Sequence, residues 1–316
     1  MQHLLTLADV SAAEVESLCT QARLLKHTRG HVGSATMSPL AGSTIVLLFE
    51  KPSLRTRVSF EIAARELGAN CLYLSAQEVG LNSRESVADV ARVLSSYVHC
   101  VVLRTFDHAT IDDFARYATI PVINGLTASH HPCQGLTDAF TILEQCGNRP
   151  DLTVTYLGDG NNCAHSLMDA AVKLGMHVRI ATPPAHGPDA ALVAHARQEA
   201  LATGGSITLF TDPYAAVAGA DVLYTDAWSS MGQESEAALR RDAFIPYRID
   251  DALVAHARPD AIVMHPLPAH RNEEITDSVI DGPQSRVYVQ AENRLHMQKA
   301  VLRTLVAACQ ESSLIA

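Results

Sequence analysis

Short unbroken apolar runs alternate along this chain with stretches whose apolar positions recur every three or four residues. Thr44–Phe49 is such a run and predicts a strand buried on both faces. Arg55–Leu67 follows with helical spacing and stops at Gly68. Ser86–Tyr97 puts Val87, Val90, Ala91, Leu94 and Tyr97 on one helical face. His99–Leu103 predicts a strand, Ile111–Ala118 a helix, Ile120–Ile123 a strand, and Gly135–Gln145 a helix that ends at Gly147. The breaker-rich Gly147-Asn148-Arg149-Pro150 marks a domain boundary, after which the alternation restarts. Strands are expected at Thr153–Leu157, His177–Ala181, Ser206–Phe210, Val222–Tyr224 and Ala261–Met264. Helices are expected at Cys163–Leu174, Pro188–Leu201 and Ile249–Ala257, with a last one from about Glu292. Repeated β-α-β units with buried strands mean parallel sheets covered on both faces, so the class is α/β with two doubly wound domains. Ligands in such sheets sit beyond the carboxyl ends of the strands, which directs the search for chemistry.

Composition narrows this only slightly. A length of 316 residues suits two domains of ~100–200 residues each. The formal net charge of −10 gives no bulk attraction to nucleic acid or to an anionic membrane, so neither is expected as a partner. An anionic ligand would need a local cationic pocket. The seven cysteines are odd in number and form no C-x-x-C pair, which favours a reducing cytoplasm over a disulfide framework. The first residues carry no basic segment followed by an apolar run, and no apolar stretch approaches the ~18 residues that span a bilayer.

Seven polar clusters punctuate the pattern. Phe49-Glu50-Lys51-Pro52-Ser53-Leu54-Arg55-Thr56-Arg57 follows a strand and opens a helix. Free first-turn N–H groups and the helix dipole favour an anion there. Arginines oppose that dipole, and a bound phosphate would resolve the conflict. Arg104 ends a second strand. In Ser129-His130-His131-Pro132-Cys133-Gln134, adjacent side chains do not converge on one ion and no matching ligand spacing follows, so no metal is expected. Leu157-Gly158-Asp159-Gly160-Asn161-Asn162 imitates a dinucleotide loop, but Cys163 stands at the third glycine position. Its amides suit a zwitterion instead. Tyr224 to Gly232 ends a strand and includes the only tryptophan. His265-Pro266-Leu267-Pro268 fixes an extended backbone and exposes carbonyls. Glu292-Asn293-Arg294 opens the last helix. Taken singly, each also reads as a loop or a cap.

Taken in order, S-x-R-T-R, H-P-x-Q, G-D-G-N-N, D-x-x-x-S-M-G and H-P-L-P resemble the aspartate/ornithine carbamoyltransferase family, from about Phe49 to Lys299. Asp226 with Ser230-Met231-Gly232 looks like the ornithine branch. The resemblance implies a domain at 1–147 that binds carbamoyl phosphate, joined by a C-terminal helix at about 294–316 that returns to it. It implies an ornithine-binding domain at 148–293. Ser53, Leu54, Arg55 and Thr56 would surround the phosphate, and Arg104, His131 and Gln134 the carbamoyl end. Asn162, Asp226, Ser230 and Met231 would hold L-ornithine. Arg294 and His265, Pro266 and Leu267 would complete the site, with Arg104, His131, His265 and Pro266 at the chemistry. The implied reaction is carbamoyl transfer to the ornithine δ-amine, giving citrulline and phosphate without a cofactor. Domain closure would exclude water, and the assembly would be a homotrimer with shared active sites.

Three positions depart from the family's ornithine pattern. Leu54 stands where that pattern has threonine, Gly80 where it has a glutamine that reaches a neighbouring subunit, and Pro266 where it has cysteine. They leave open another acceptor, such as lysine, putrescine or an acylated ornithine. Two other classes remain as alternatives: a nucleotide-dependent dehydrogenase, which the broken glycine fingerprint disfavours, and a non-catalytic relative that kept the fold.

Overall fold

A computed structural model describes residues 1–30, 38–81, 83–149, 151–228 and 237–315. The chain divides into two compact units, the first made of residues 1–136 and 293–316, the second of Thr137–Glu292.

The first unit runs α1 (Ala12–His27), β1 (Thr44–Phe49), α2 (Leu54–Glu66), β2 (Asn70–Ser75), α3 (Ala76–Val79), α4 (Val87–Tyr97), β3 (Cys100–Arg104), α5 (His108–Tyr117) and β4 (Val122–Leu126), and enters α6 (Pro132–Cys146). Its four strands are all parallel, in the order β2-β1-β3-β4. After β2 the chain crosses back to the other side of β1, so the switch in winding lies between β1 and β3. The apolar runs of β1 and β3 are buried almost throughout and pack with Ile111 and Phe114 of α5. The second unit runs β5 (Thr153–Leu157), α7 (Asn162–Lys173), β6 (His177–Ala181), α8 (Ala190–Thr203), β7 (Ser206–Phe210), α9 (Pro213–Val217), β8 (Val222–Thr225), α10 (Ala237–Phe244), α11 (Asp251–Val254), β9 (Ile262–Met264), α12 (Asp277–Ile280) and the start of α13 (Val287–Ile315). Its parallel sheet has the order β7-β6-β5-β8-β9, with the switch between β5 and β8.

The α/β class and the doubly wound parallel sheets match the sequence expectation. Strands β1, β5, β6 and β7 fall on the expected residues. Other elements differ. Strand β2 was not expected, because it is the sheet edge and its side chains alternate in exposure rather than forming an apolar run. The helix expected at Ile249–Ala257 shrinks to Asp251–Val254, since Ile249 bridges to Ile275 with backbone bonds to Glu274 and Thr276. The last helix starts at Val287, not near Glu292; its first turns bury polar Gln290 and Asn293, which broke the apolar signal.

Within the first unit α13 is seated on α1 and α2. Lys26 Nζ donates to Asn293 Oδ1 at 2.8 Å, Gln21 Nε2 to Thr304 Oγ1 at 3.2 Å, and Lys299 Nζ to Glu66 Oε2 at 2.8 Å. Among the described residues, no helix is long and apolar enough to cross a membrane.

Candidate active site

Register explains why distant segments share one edge of the first unit's sheet. Phe49 pairs with Arg104, and Arg104 with Leu126, so the segments after β1, β3 and β4 emerge side by side. The Glu50 N–H donates to the Arg104 carbonyl at 2.8 Å, across the switch in winding. Ser53 has extended backbone and caps α2, accepting from the Thr56 N–H at 3.4 Å, a cap of the kind worth about 1 kcal/mol. Its hydroxyl also donates to Thr56 Oγ1 at 3.0 Å. Arg294 reaches in from α13, with Nη2 2.8 Å from Thr56 Oγ1 and Nη1 bonded to Gln134 Oε1. One guanidinium thereby ties the turn after β1 to the turn after β4. Arg104, His131, Gln134 and Arg294 are all buried, and Arg55 is half-buried. Leu54 points outward, 76% exposed, so its contribution to an anion is its N–H.

Electrostatics at this edge are one-sided. Burial pushes the His131 imidazole well below its usual range, and the Arg294 and Arg104 guanidiniums push it further, so it is neutral at pH 7. Lys51, only 7% exposed, lies 3.9 Å from the centroid of the Phe106 ring, and burial and then Arg104 lower its pKa. Lys51, Arg104 and Arg294 bring cationic charge close to the start of α2, where Arg55 also stands, an arrangement whose chemistry suits a multiply charged oxyanion. Cys133 is not a nucleophile here: burial pushes its thiol up to about 12, and it donates to the Asn124 carbonyl at 3.5 Å.

The departure at Gly80 has a local cause. Gly80 closes α3 with φ 73°, and a Cβ there would stand 2.8 Å from the Arg84 Cβ. Glutamine at this position would be strained.

In the second unit the segments after β5, β8 and β9 emerge from adjacent strands, since Leu157 pairs with Thr225 and Tyr224 with Met264. Gly160 is required for close approach: a Cβ would meet the Pro188 nitrogen at 2.2 Å. The loop therefore presses on Gly187–Pro188 rather than offering a nucleotide cradle. Asn161 caps α7, accepting from Cys163 and Ala164, and its Nδ2 donates to Asp226 Oδ2 at 2.9 Å across β5 and β8. Asn162, named from sequence, is buried in the first turn of α7. Sequence reasoning takes both amides of Asn161-Asn162 and carries only Asn162 to the site, whereas the contact with Asp226 is made by Asn161, whose distinguishing signal is an N-cap amide just before a helical run. Asp159 pairs with Arg240 at 2.6 Å, and Arg240 Nε holds the Trp228 carbonyl at 2.8 Å. Burial outweighs that pairing and raises the Asp159 pKa. Ser230 and Met231 lie outside the described residues.

His265 and Pro266 are buried and Leu267 is half-buried, just beyond β9. One group of three metal-ligand-type side chains stands nearby among the described residues, His270, Glu273 and Glu274. Its carboxyls are already engaged by Arg241, by the His265 ring and by the His270 N–H.

Fold and clusters together define a two-unit, doubly wound α/β protein with a cationic cluster in the first unit and a polar amide-carboxylate cluster in the second. Residues 2–144 match the pattern described as the aspartate/ornithine carbamoyltransferase carbamoyl-P binding domain, and residues 150–305 match the Asp/Orn binding domain of the same family. The chain belongs to the aspartate/ornithine carbamoyltransferase family. It is 51% identical over 299 residues to the anabolic ornithine carbamoyltransferase of Pyrococcus furiosus, covering 95% of this chain and 94% of that one. It is 49% identical over 302 residues to the ornithine carbamoyltransferase of Anoxybacillus flavithermus, covering 96% of each. The solved ornithine carbamoyltransferase structure from Pyrococcus furiosus superposes with a TM-score of 0.92 at 50% identity, covering 95% of this chain and 96% of that one.

Proposed function

We propose that this chain transfers the carbamoyl group of carbamoyl phosphate to the δ-amine of L-ornithine, giving L-citrulline and phosphate. The observation that carries the reading is identity of about half the residues over nearly the full length to proteins named for that activity. The proposed carbamoyl phosphate domain is residues 1–147 with the part of α13 from about residue 294 onward, and the proposed ornithine domain is residues 148–293.

The phosphate is gripped by Arg55, Arg104 and the N–H groups of Ser53 and Leu54, with the Thr56 hydroxyl beside them. Thr56, Arg104 and neutral His131 polarise the carbamoyl oxygen, with Gln134 and Arg294 holding that end. The carbonyls of Pro266 and Leu267 accept from the carbamoyl NH₂. That role needs no side chain, so the missing thiol at 266 does not remove it. Asn162, Asp226, Ser230 and Met231 hold the α-groups of ornithine.

The δ-ammonium, with a pKa of about 10.4 in water, must be neutral to attack, and cations and burial lower its pKa. A C–N bond forms at the carbonyl carbon, the C–O bond to phosphate breaks, and the phosphate leaves with that electron pair and takes the amine proton. Charge grows on the carbonyl oxygen and on the phosphate. Each fixed donor aimed there is worth about 3–4 kcal/mol, and positioning of two substrates supplies much of the remainder.

The cytoplasm is the proposed compartment, supported by seven cysteines of which none is joined in a disulfide. The proposed assembly is a homotrimer with shared sites, supported by apolar surface at Val58 and at Leu72 on the edge strand.

The test is a carbamoyl-transfer assay with ornithine, lysine, putrescine, acetylornithine and aspartate. Ornithine should exceed each of the others by at least about 100-fold in kcat/KM, the discrimination open to a site built on hydrogen bonds. A higher kcat/KM on another amine favours the second reading, for which Pro266 is the supporting observation. Binding of carbamoyl phosphate without turnover on any amine overturns both.

A further inference from the structure

The segment after β9 has an unusual backbone: Leu267, which is not glycine, has φ 58°. Such a conformation persists only where its surroundings over-determine it. The constraints begin at His265. Its N–H donates to Gln290 Oε1 at 2.9 Å, and Gln290 Nε2 is itself held by Asp138 Oδ1 at 2.7 Å. The His265 ring is fully buried, and so is the Glu274 carboxyl. The Leu267 N–H lies 2.9 Å from His265 Nδ1. A backbone N–H can only donate, so Nδ1 is the acceptor and the ring proton sits on Nε2. That Nε2–H points at Glu274 Oε1, 3.0 Å away. Glu274 Oε1 also accepts from the His270 N–H at 2.6 Å, on the far side of the same loop.

Glu274 is firmly anchored. Its carbonyl accepts from the Ile249 N–H at 2.9 Å, and the carbonyl of neighbouring Glu273 accepts from Arg248 Nε at 2.9 Å. Ile249 and Ile275 lie in the unit's apolar core. Glu274 therefore fixes the ring, and the ring fixes the Leu267 N–H. With both nitrogens turned inward and no surface exposed, His265 has no position from which to exchange a proton with a substrate.

We propose that Glu274 is a positioning residue: through the neutral His265 ring it sets the orientation of the Pro266–Leu267 carbonyls. This deepens the carbamoyltransferase reading and rests on it for the kinetic consequence alone. Proline at 266 gives the segment no side-chain donor of its own, which leaves the backbone geometry to this clamp.

The experiment is a double-mutant cycle on the full chain. Glu274→Ala should lower kcat by about 100-fold, the effect of misplacing a reacting group by about 1 Å. KM for carbamoyl phosphate should change less than threefold, because the phosphate grip lies elsewhere. Glu274→Gln keeps an oxygen for both N–H donors and should recover activity to within about tenfold of the parent, the weight of one altered hydrogen bond. His265→Asn keeps an acceptor for the Leu267 N–H but removes the reach to Glu274. In that background Glu274→Ala should add little. Additive losses, or equal activity in Glu274→Ala and the parent, overturn the proposal.

Amide hydrogen exchange at Leu267 reads the clamp without any substrate. Protection should fall at least about tenfold in Glu274→Ala and be retained in Glu274→Gln. Unchanged protection in Glu274→Ala overturns the proposal. Should Glu274→Ala not fold, the Glu274→Gln and His265→Asn pair decides it, since Leu267 must be protected in the first and less so in the second. Failure of the parent chain to carbamoylate any amine would instead sink the functional reading and leave the exchange result standing.

Discussion

The first unit's cluster and the second unit's loop after β9 reach precision by opposite means. At the head of α2 the groups are charged, and they are assembled from three strand ends and a returning helix. After β9 the anchoring groups, His265, Gln290, Glu274 and the loop's N–H donors, are joined by a run of ordinary hydrogen bonds of 2.9–3.0 Å beside a backbone held at positive φ. The first arrangement suits a ligand whose charge is the recognised feature. The second suits a ligand recognised by where two carbonyls point. Damage should differ accordingly: loss of a cation weakens binding and reaction together, whereas loss of an anchor spoils reaction at nearly unchanged affinity.

The largest effect should follow Arg104→Ala, which removes a buried cation. We expect kcat/KM for carbamoyl phosphate to fall about 100- to 1,000-fold in a steady-state assay, as for loss of one aimed donor. A fall of under tenfold would break the contrast between the two regions.

Asp226→Asn should come next. It keeps the shape beside Asn161 but removes the charge offered to an α-ammonium, so kcat/KM for ornithine should drop about 10- to 100-fold with KM for carbamoyl phosphate unchanged. If both substrates are affected alike, Asp226 supports the loop rather than ornithine.

The third effect is on stability. The His131 pKa is lowered in the folded state, so between that value and about 6.5 the unfolded chain binds the extra proton. The stabilisation is complete above about 6.5 and is lost as pH falls through this window, at up to about 1.4 kcal/mol per pH unit. Urea unfolding between pH 7.5 and 5 should show this slope in the parent and a shallower one in His131→Asn. Equal slopes would place the loss in other groups.

The smallest effect should be that of Leu54→Thr. The side chain is exposed, so stability should move by less than about 0.5 kcal/mol. A new hydroxyl near the phosphate should lower KM for carbamoyl phosphate by up to about tenfold, one net hydrogen bond. An unchanged KM would show the hydroxyl pointing away.

The Ser53–Arg57 part of the first region was legible in the sequence because those residues are contiguous and their chemistry conflicts with their local structure. Arginines in a first turn signal a missing anion, and a strand before them fixes which end they occupy. The second region was legible only in part. Pro266 and Leu267 stood out through their neighbouring prolines, but Glu274 did not. Its role comes from a ring nine residues earlier in the chain, brought near by the bridge of Ile275 to Ile249. Asn161 was hidden for a simpler reason. Two adjacent asparagines look equivalent until the helix start determines which one caps. The edge strand β2 and helix α1 gave weak patterns, since β2 has no fully buried residue and α1 buries only Val15, Leu18, Cys19 and Ala22.

The return of α13 to the first unit bears on how the chain is made. Arg294, which joins Thr56 to Gln134, and Lys299, which pairs with Glu66, leave the ribosome only after all of residues 137–292. At ~5–20 residues per second that is a wait of about 8–30 s. During it the nascent first unit has its sheet but not the helix that seals α1 and α2. A chaperone holding residues 1–136, or a pause in translation ahead of residue 293, would act on that open interval.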